Sequence, residues 1–127
     1  MSVRPSFTSG DVFTAANANI LATSIVALNA QSGTAYTAAL TDVGKLVNFT
    51  SSSAVVFTIP ASGTVAFAVG DQINVYQSGS GQVTITPAAT VTIRSAGSKL
   101  KTNAQYAVAT CVKIATDEWI ALGNLSA

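Results

Sequence analysis

Between Gln72 and Arg94 the chain reads QINVYQ, then SGSG, then QVTITPAATVTIR, and no other stretch restricts the fold as much. Ile73 and Val75 alternate with Gln72 and Asn74, and Val83 and Ile85 alternate with Gln82 and Thr84. A period of two gathers the apolar side chains on one face of a strand, whereas a helix would scatter them around its axis. The break between the two runs is Ser78-Gly79-Ser80-Gly81. Glycine reaches positive φ at no steric cost, so the whole reads as a β-hairpin with Ser78–Gly81 as its loop. A third run, Val91–Arg94, follows Pro87, which cannot donate to a ladder and marks a strand end or edge.

The same grammar extends through most of the chain. Strands are expected near Ala35–Leu40, Lys45–Thr50, Ala54–Ile59, Gln72–Gln77, Gln82–Thr86, Thr90–Arg94, Lys99–Lys101, Gln105–Ala115 and Glu118–Leu122. Between them lie turn formers: Thr41–Gly44, Ser51–Ser53, Pro60–Gly63, Ser95–Ser98 and Thr116-Asp117. Many short strands at this spacing, with no strand–helix alternation, define an all-β class. The architecture they suggest is an antiparallel β-sandwich, jelly-roll-like or barrel-like.

The N-terminal segment differs. Thr14 precedes the Ala-rich run Ala15–Ala22, and a Thr hydroxyl at an N-cap accepts one of the orphan N–H groups, so a short helix is expected over Ala15–Leu21. Ser24–Asn29 either continues that helix or opens the first strand; its β-branched residues tilt it to strand. Residues 1–30 therefore form an arm and residues 31–127 a β-sandwich domain. Phe7, Val12, Phe13, Ile20 and Leu21 are too many large apolar groups for a free tail, and they mark the arm as a docking or oligomerisation element.

Near the C-terminus, Tyr106, Val108, Thr110, Val112 and Ile114 fall on one face of a strand, and Ala107, Ala109, Cys111 and Lys113 on the other. Small residues on the second face let another layer approach closely. Trp119/Ala121 and Ile120/Leu122 make the closing strand apolar on both sides, which suits a central strand or a subunit contact.

Composition sharpens this expectation. Only 9% of the 127 residues are charged, 49% are hydrophobic, and the net charge is +1. Such a surface has little electrostatic protection against self-association, so a chain working inside an assembly is expected, with a monomer that has a Thr-rich surface as the alternative. No apolar run reaches the ~20 residues of a membrane-spanning helix, and MSVRPSFTSGD is not a signal peptide; no membrane partner is expected. A sequence pI near 7.9 also argues against a nucleic-acid partner.

The residues that could carry chemistry are few. There is no His, one Cys and isolated Asp11, Asp42 and Asp71, so neither a metal site nor any other cofactor is expected. Cys111 sits among small apolar residues and reads as a core thiol. Asp117 and Glu118 are adjacent, and neighbours on a strand point to opposite faces, so they cannot jointly flank a scissile bond; a solvated turn is expected. The Ser-Gly-Ser-Gly tract lacks the GxxxxGK[ST] and GxGxxG frames, and no base accompanies the serines. The chain is accordingly expected not to be an enzyme. What remains is an anion or partner patch at Arg94, Lys99 and Lys101, with Lys99 and Lys101 on one strand face, and exposed loops at Ser78, Gly79, Ser80, Gly81, Asp117 and Glu118.

Two stretches carry a family resemblance. Phe7–Asn19, FTSGDVFTAANAN, resembles the F-x-x-G-D-V-x-T-A-A-x-x-N segment that opens many tailed-bacteriophage virion proteins. The remainder resembles a β domain of phage tail fibres, minor tail proteins and head decoration or fibre proteins. Its signposts are Tyr36-Thr37, Asp42–Val47, Thr58–Pro60, Val69–Ile73, Gly79–Ile85, Ser98–Lys101, Gln105-Tyr106 and Trp119–Leu125.

The resemblance implies a virion component on the capsid surface or tail, built as a homo-oligomer with a trimer as first expectation. It carries no catalytic residues. An arm and one domain, without a shaft, suit a capsid decoration or head-fibre protein whose arm grips the major capsid protein or another virion protein. The alternative is a minor tail or tail-fibre protein whose loops bind a host surface glycan, with Tyr76 or Tyr106 stacking on sugar.

Overall fold

The computed structural model describes residues 27–127. The expected helix at Ala15–Leu21 and the docking residues Phe7, Val12, Phe13, Ile20 and Leu21 lie outside them. The described chain is almost wholly β: β1 Leu28–Gln31, β2 Ala35–Thr37, β3 Leu46–Phe49, β4 Val55–Ile59, β5 Gln72–Gln77, β6 Val83–Pro87, β7 Thr92–Arg94, β8 Lys101–Thr102, β9 Val108–Ala115, β10 Glu118–Gly123 and β11 Leu125–Ser126. Of the ambiguous stretch before Ala30, Leu28 and Asn29 are strand, so the β region begins by Leu28.

Two sheets hold these strands. One has the order β1-β3-β5-β9-β10-β7, the other β11-β8-β6-β4-β2. From β1 to β8 every strand lies in the sheet opposite to its predecessor. Consequently β1, β3 and β5 run parallel, as do β2, β4 and β6. A parallel neighbour normally needs a crossover connection, usually a helix; here a strand of the other sheet serves as the crossover. The first six strands thus wind as three stacked coils, each with one strand per sheet. The β9–β10 antiparallel hairpin then closes the first sheet against β5, and β8 runs antiparallel to β6.

Two expectations are corrected by this winding. Pairing is mixed rather than antiparallel, with five of the nine strand pairings parallel. And Ser78–Gly81 is no hairpin loop: β5 belongs to the first sheet and β6 to the second. The physical reason lies in the preceding coil. The N–H groups of Ser78 and Gly79 both donate to the Phe49 carbonyl (3.0 and 3.1 Å), and that of Gly81 donates to the Ser51 carbonyl (3.0 Å). A Cβ on Gly79 would overlap the carbonyl oxygens of Thr50 and Ser51, and one on Gly81 the carbonyl of Ser53. The glycines are there so that one corner can sit directly on another.

Smaller differences have local causes. The strand expected over Ala35–Leu40 stops at Thr37 because Leu40–Asp42 forms a 3₁₀ turn, held by the Ala39 N–H donating to Asp42 Oδ2 (2.9 Å). The buried Asp42 also accepts from the Tyr36 hydroxyl (2.6 Å) and Asn29 Nδ2 (2.7 Å). A second 3₁₀ turn, Ala96–Ser98, displaces the strand expected over Lys99–Lys101 to Lys101-Thr102.

The core lies between the sheets. Val47, Phe49, Ile73, Val75, Cys111 and Trp119 of the first sheet meet Val55, Phe57, Ile59, Val83 and Ile85 of the second in one buried cluster. Phe49 and Phe57 join the layers with ring centroids 5.5 Å apart, and Tyr36 stacks on Phe57 along the second sheet at 6.2 Å. Each fully buried large side chain contributes ~1.5–3 kcal/mol over leaving it in water.

Candidate interaction surface

Strand parity decides which side chains remain for contact with other molecules. On β9, Ala109, Cys111 and Lys113 point into the core. Burial pushes the Cys111 thiol up to about 12. Small residues on that face let the second sheet pack close, as the sequence suggests. The other face of the same strand points outward, with Val108 41% and Ile114 42% exposed. On β10, Trp119 and Ala121 are buried while Leu122 is 51% exposed. The register sets Val112 beside Ile120 and Thr110 beside Leu122. Thr110 and Val112 are in turn opposite Asn74 and Gln72 of β5, and Val108 is opposite Tyr76. The outcome is an apolar stripe two strands wide on the outer face of the first sheet.

Polar groups bound the stripe on two sides. Along β5, Asn74 Oδ1 accepts from Thr110 Oγ1 (2.9 Å) and Gln72 Nε2 (3.0 Å). On the far side β7 pairs with β10, and Arg94 Nε donates to Glu118 Oε2 at 2.7 Å. Arg94 is therefore engaged by a carboxylate rather than grouped with the lysines. Lys99 and Lys101 are exposed around Leu100, and Lys101 lies on β8 in the second sheet. Of the three cations expected to form a patch, Arg94 thus lies on β7 of the first sheet, Lys101 on β8 of the second, and Lys99 in the connection between them.

The expected loops differ in what they expose. In the corner Ser78–Gly81, Gly81 is buried, Ser78 and Gly79 are half-buried, and Ser80 alone is exposed. Asp117 takes the left-handed conformation (φ 53°) at the tip of the β9–β10 hairpin, and its Oδ1 accepts from the Ser62 N–H at 2.7 Å. That backbone bond, then the Ser62 side chain, and finally the Lys113 charge hold its carboxyl below the ordinary value. Asp117 therefore ties the hairpin tip to another loop, and Glu118 is in the ion pair.

Beside the Ser78–Gly81 corner, Tyr106 is 66% exposed and has φ 71°. Its N–H donates to the Gln77 carbonyl (2.6 Å), and Gln105 Nε2 donates to the Ser78 carbonyl (3.0 Å). An aromatic residue in the left-handed region costs conformational energy, on the order of 1–3 kcal/mol.

One pairing is invisible in the sequence. Lys113 is buried, with Nζ donating to Ser62 Oγ (3.0 Å) and to the Phe67 carbonyl (2.6 Å). A lysine thus does stand against a serine, contrary to the sequence expectation. Nζ is engaged as a donor to both the Ser62 hydroxyl and the Phe67 carbonyl, so the pair reads as a buried structural contact. The Ser62 N–H is also already taken by a carboxylate. The only advance signal for Lys113 is its parity with Ala109 and Cys111.

Among the described residues, no group of three or more His, Cys, Asp or Glu side chains could hold a metal ion, and no helix is long and apolar enough to cross a membrane. In comparisons with known proteins, no family model, curated protein or solved structure matches the chain.

Proposed function

We propose that this chain is a non-enzymatic structural protein of a bacteriophage virion, a capsid decoration or head-fibre protein that attaches to the shell through its N-terminal arm. The observation that carries the assembly role is the placement of Val108, Ile114 and Leu122 on an outer sheet face, in a chain with 9% charged residues. A surface of this kind gains by being covered. The phage assignment is supported by the FTSGDVFTAANAN segment and the ordered signposts after it. In this reading the two sheets form a β-sandwich that projects from the particle, and Phe7, Val12, Phe13, Ile20 and Leu21 supply the apolar grip.

The test is the copy number per purified particle, by quantitative mass spectrometry against the major capsid protein. Tens to hundreds of copies are expected. A handful matching tail symmetry would overturn the capsid assignment.

Tyr106 favours a second reading, a minor tail or tail-fibre protein that binds host glycan. Its exposed ring beside a loop end is the arrangement on which a sugar stacks. Tyr106→Ala would then reduce adsorption to host cells while leaving particle assembly intact. Unchanged adsorption would count against this second reading.

A further inference from the structure

We infer that a second copy of this chain packs, face on face, against the outer side of the first sheet, over the stripe centred on Val108, Ile114, Ile120 and Leu122. The inference deepens the assembly reading above and rests on it.

The stripe has the anatomy of an association surface rather than of scattered surface apolars. Its middle is aliphatic: Val112 beside Ile120, flanked by Val108, Ile114 and Leu122. Its limits are polar, with the Arg94–Glu118 ion pair on one side and Gln72 and Asn74 of β5 on the other, and the one polar residue within it, Thr110, donates its hydroxyl to Asn74 Oδ1. An apolar centre within a polar, partly charged rim is the usual composition of a protein–protein contact.

Charge and extent favour another copy as the occupant. The stripe itself carries no ionisable side chain on β9 or β10 between Val108 and Leu122, apart from inward-facing Cys111 and Lys113 and the residues of the turn and rim. The whole chain has a net charge of +1, so two copies approach almost without repulsion. Six strands at ~4.8 Å spacing and about five residues at ~3.3 Å give the sheet face roughly 500 Å² in projection. With side-chain relief this approaches the ~800 Å² per partner of a standard interface. Side chains standing on a flat pleated face also meet their own kind without a shaped pocket, as the inner faces of stacked sheets do at ~10 Å separation. A contact using the same patch on both partners closes on itself and leaves no sticky end.

The experiment is sedimentation equilibrium of the full-length chain across the micromolar range, with Val108→Lys, Leu122→Glu and a control. Val56, which is exposed on β4 of the second sheet, supplies the control as Val56→Lys. Circular dichroism verifies that each variant keeps its β signature. The expected result is an oligomer for the parent and for Val56→Lys. Val108→Lys and Leu122→Glu should each weaken association by at least about tenfold, because each buries a charge without a partner.

A monomeric parent at the highest concentration would overturn the inference, as would association indifferent to both charges. A monomer in which Leu122→Glu speeds proteolysis within residues 1–26 would assign the stripe to the chain's own arm and would equally overturn it. Particle copy number is read separately, so a monomer present at high copy on capsids would sink this inference and leave the structural role standing.

Discussion

Four ionisable side chains, Cys111, Tyr36, Asp117 and Lys113, show at the residue scale how the fold uses burial and hydrogen bonding. Cys111 is fully buried and its thiol is pushed up to about 12. It is expected to ignore a disulfide reagent in the native protein at pH 8 and to react only after denaturation; rapid native labelling would show that β9 opens locally. The same burial links stability to alkaline pH. A group whose folded pKa lies above its unfolded value stabilises below the unfolded pKa and loses that contribution as pH rises through the folded one. Cys111 starts from 9.0, and Tyr36, raised by burial and by the hydrogen bond and charge of Asp42, starts from 10.0. Denaturant midpoints should therefore fall from about pH 9 upward, and Cys111→Ala should remove the earlier part of that fall.

Asp117 has the opposite sign. Its lowered pKa gives a contribution present above its ordinary value of 3.8 and lost as pH falls through the folded one. Asp117→Asn should flatten the acid limb of the stability profile below about pH 4; an unaltered limb would assign it to other carboxylates. Lys113 tests polar burial. Lys113→Met keeps the apolar stem but removes the donor to Ser62 and Phe67, and is expected to cost ~1–3 kcal/mol in urea unfolding.

At the scale of elements, most strand positions were legible in the sequence, although β11 was not expected and β9 begins at Val108 rather than Gln105; strand partners were not legible. Alternation is local: Ile73/Val75 and Val83/Ile85 place β5 and β6 within a residue of where they lie. A Gly-containing break between two such runs fits a hairpin and a corner equally well. The choice depends on residues some thirty positions upstream: Phe49 and Ser51, whose carbonyls accept the loop's N–H groups, and Thr50 and Ser53, against whose carbonyls the glycines lie. The outer stripe was half legible. Parity separates Val108, Thr110, Val112 and Ile114 from Ala109 and Cys111, but only the fold shows which set faces the second sheet. The Arg94–Glu118 pair was illegible, since β7 reaches β10 only through tertiary pairing.

A glycine comparison tests the corner. Gly81→Ala must displace backbone, and is expected to cost ~1–3 kcal/mol or more. Gly63→Ala meets nothing within 4 Å and should be neutral or stabilising by up to ~1 kcal/mol. Equal midpoints for the two variants would mean that the stacked corners yield easily.

Over the whole molecule, the winding places both first strands at one end. Among the described residues β1 is an edge of the first sheet and β2 an edge of the second, so the first coil supplies an edge strand to each layer. The opposite edges are β7 and the two-residue β11, while β5 and β9 are flanked on both sides in the first sheet and β4 and β6 in the second. Amide protection follows how many ladders must open before a group meets water. Hydrogen exchange is therefore expected to be slowest across β5 and β9, where β-branched residues and Trp119 seal the core, and fastest in β1, β2, β7 and β11.

The exchange pattern also reports on assembly. A partner stacked on the outer face of the first sheet shields the β9–β10 stripe but leaves the edge N–H groups of β1 and β2 in water. A partner added as a strand would instead slow β1 and β2 and leave the stripe unchanged. Concentration-dependent exchange thus separates the two modes: slowing confined to Val108–Leu122 agrees with face-on-face packing, and slowing confined to Leu28–Thr37 contradicts it.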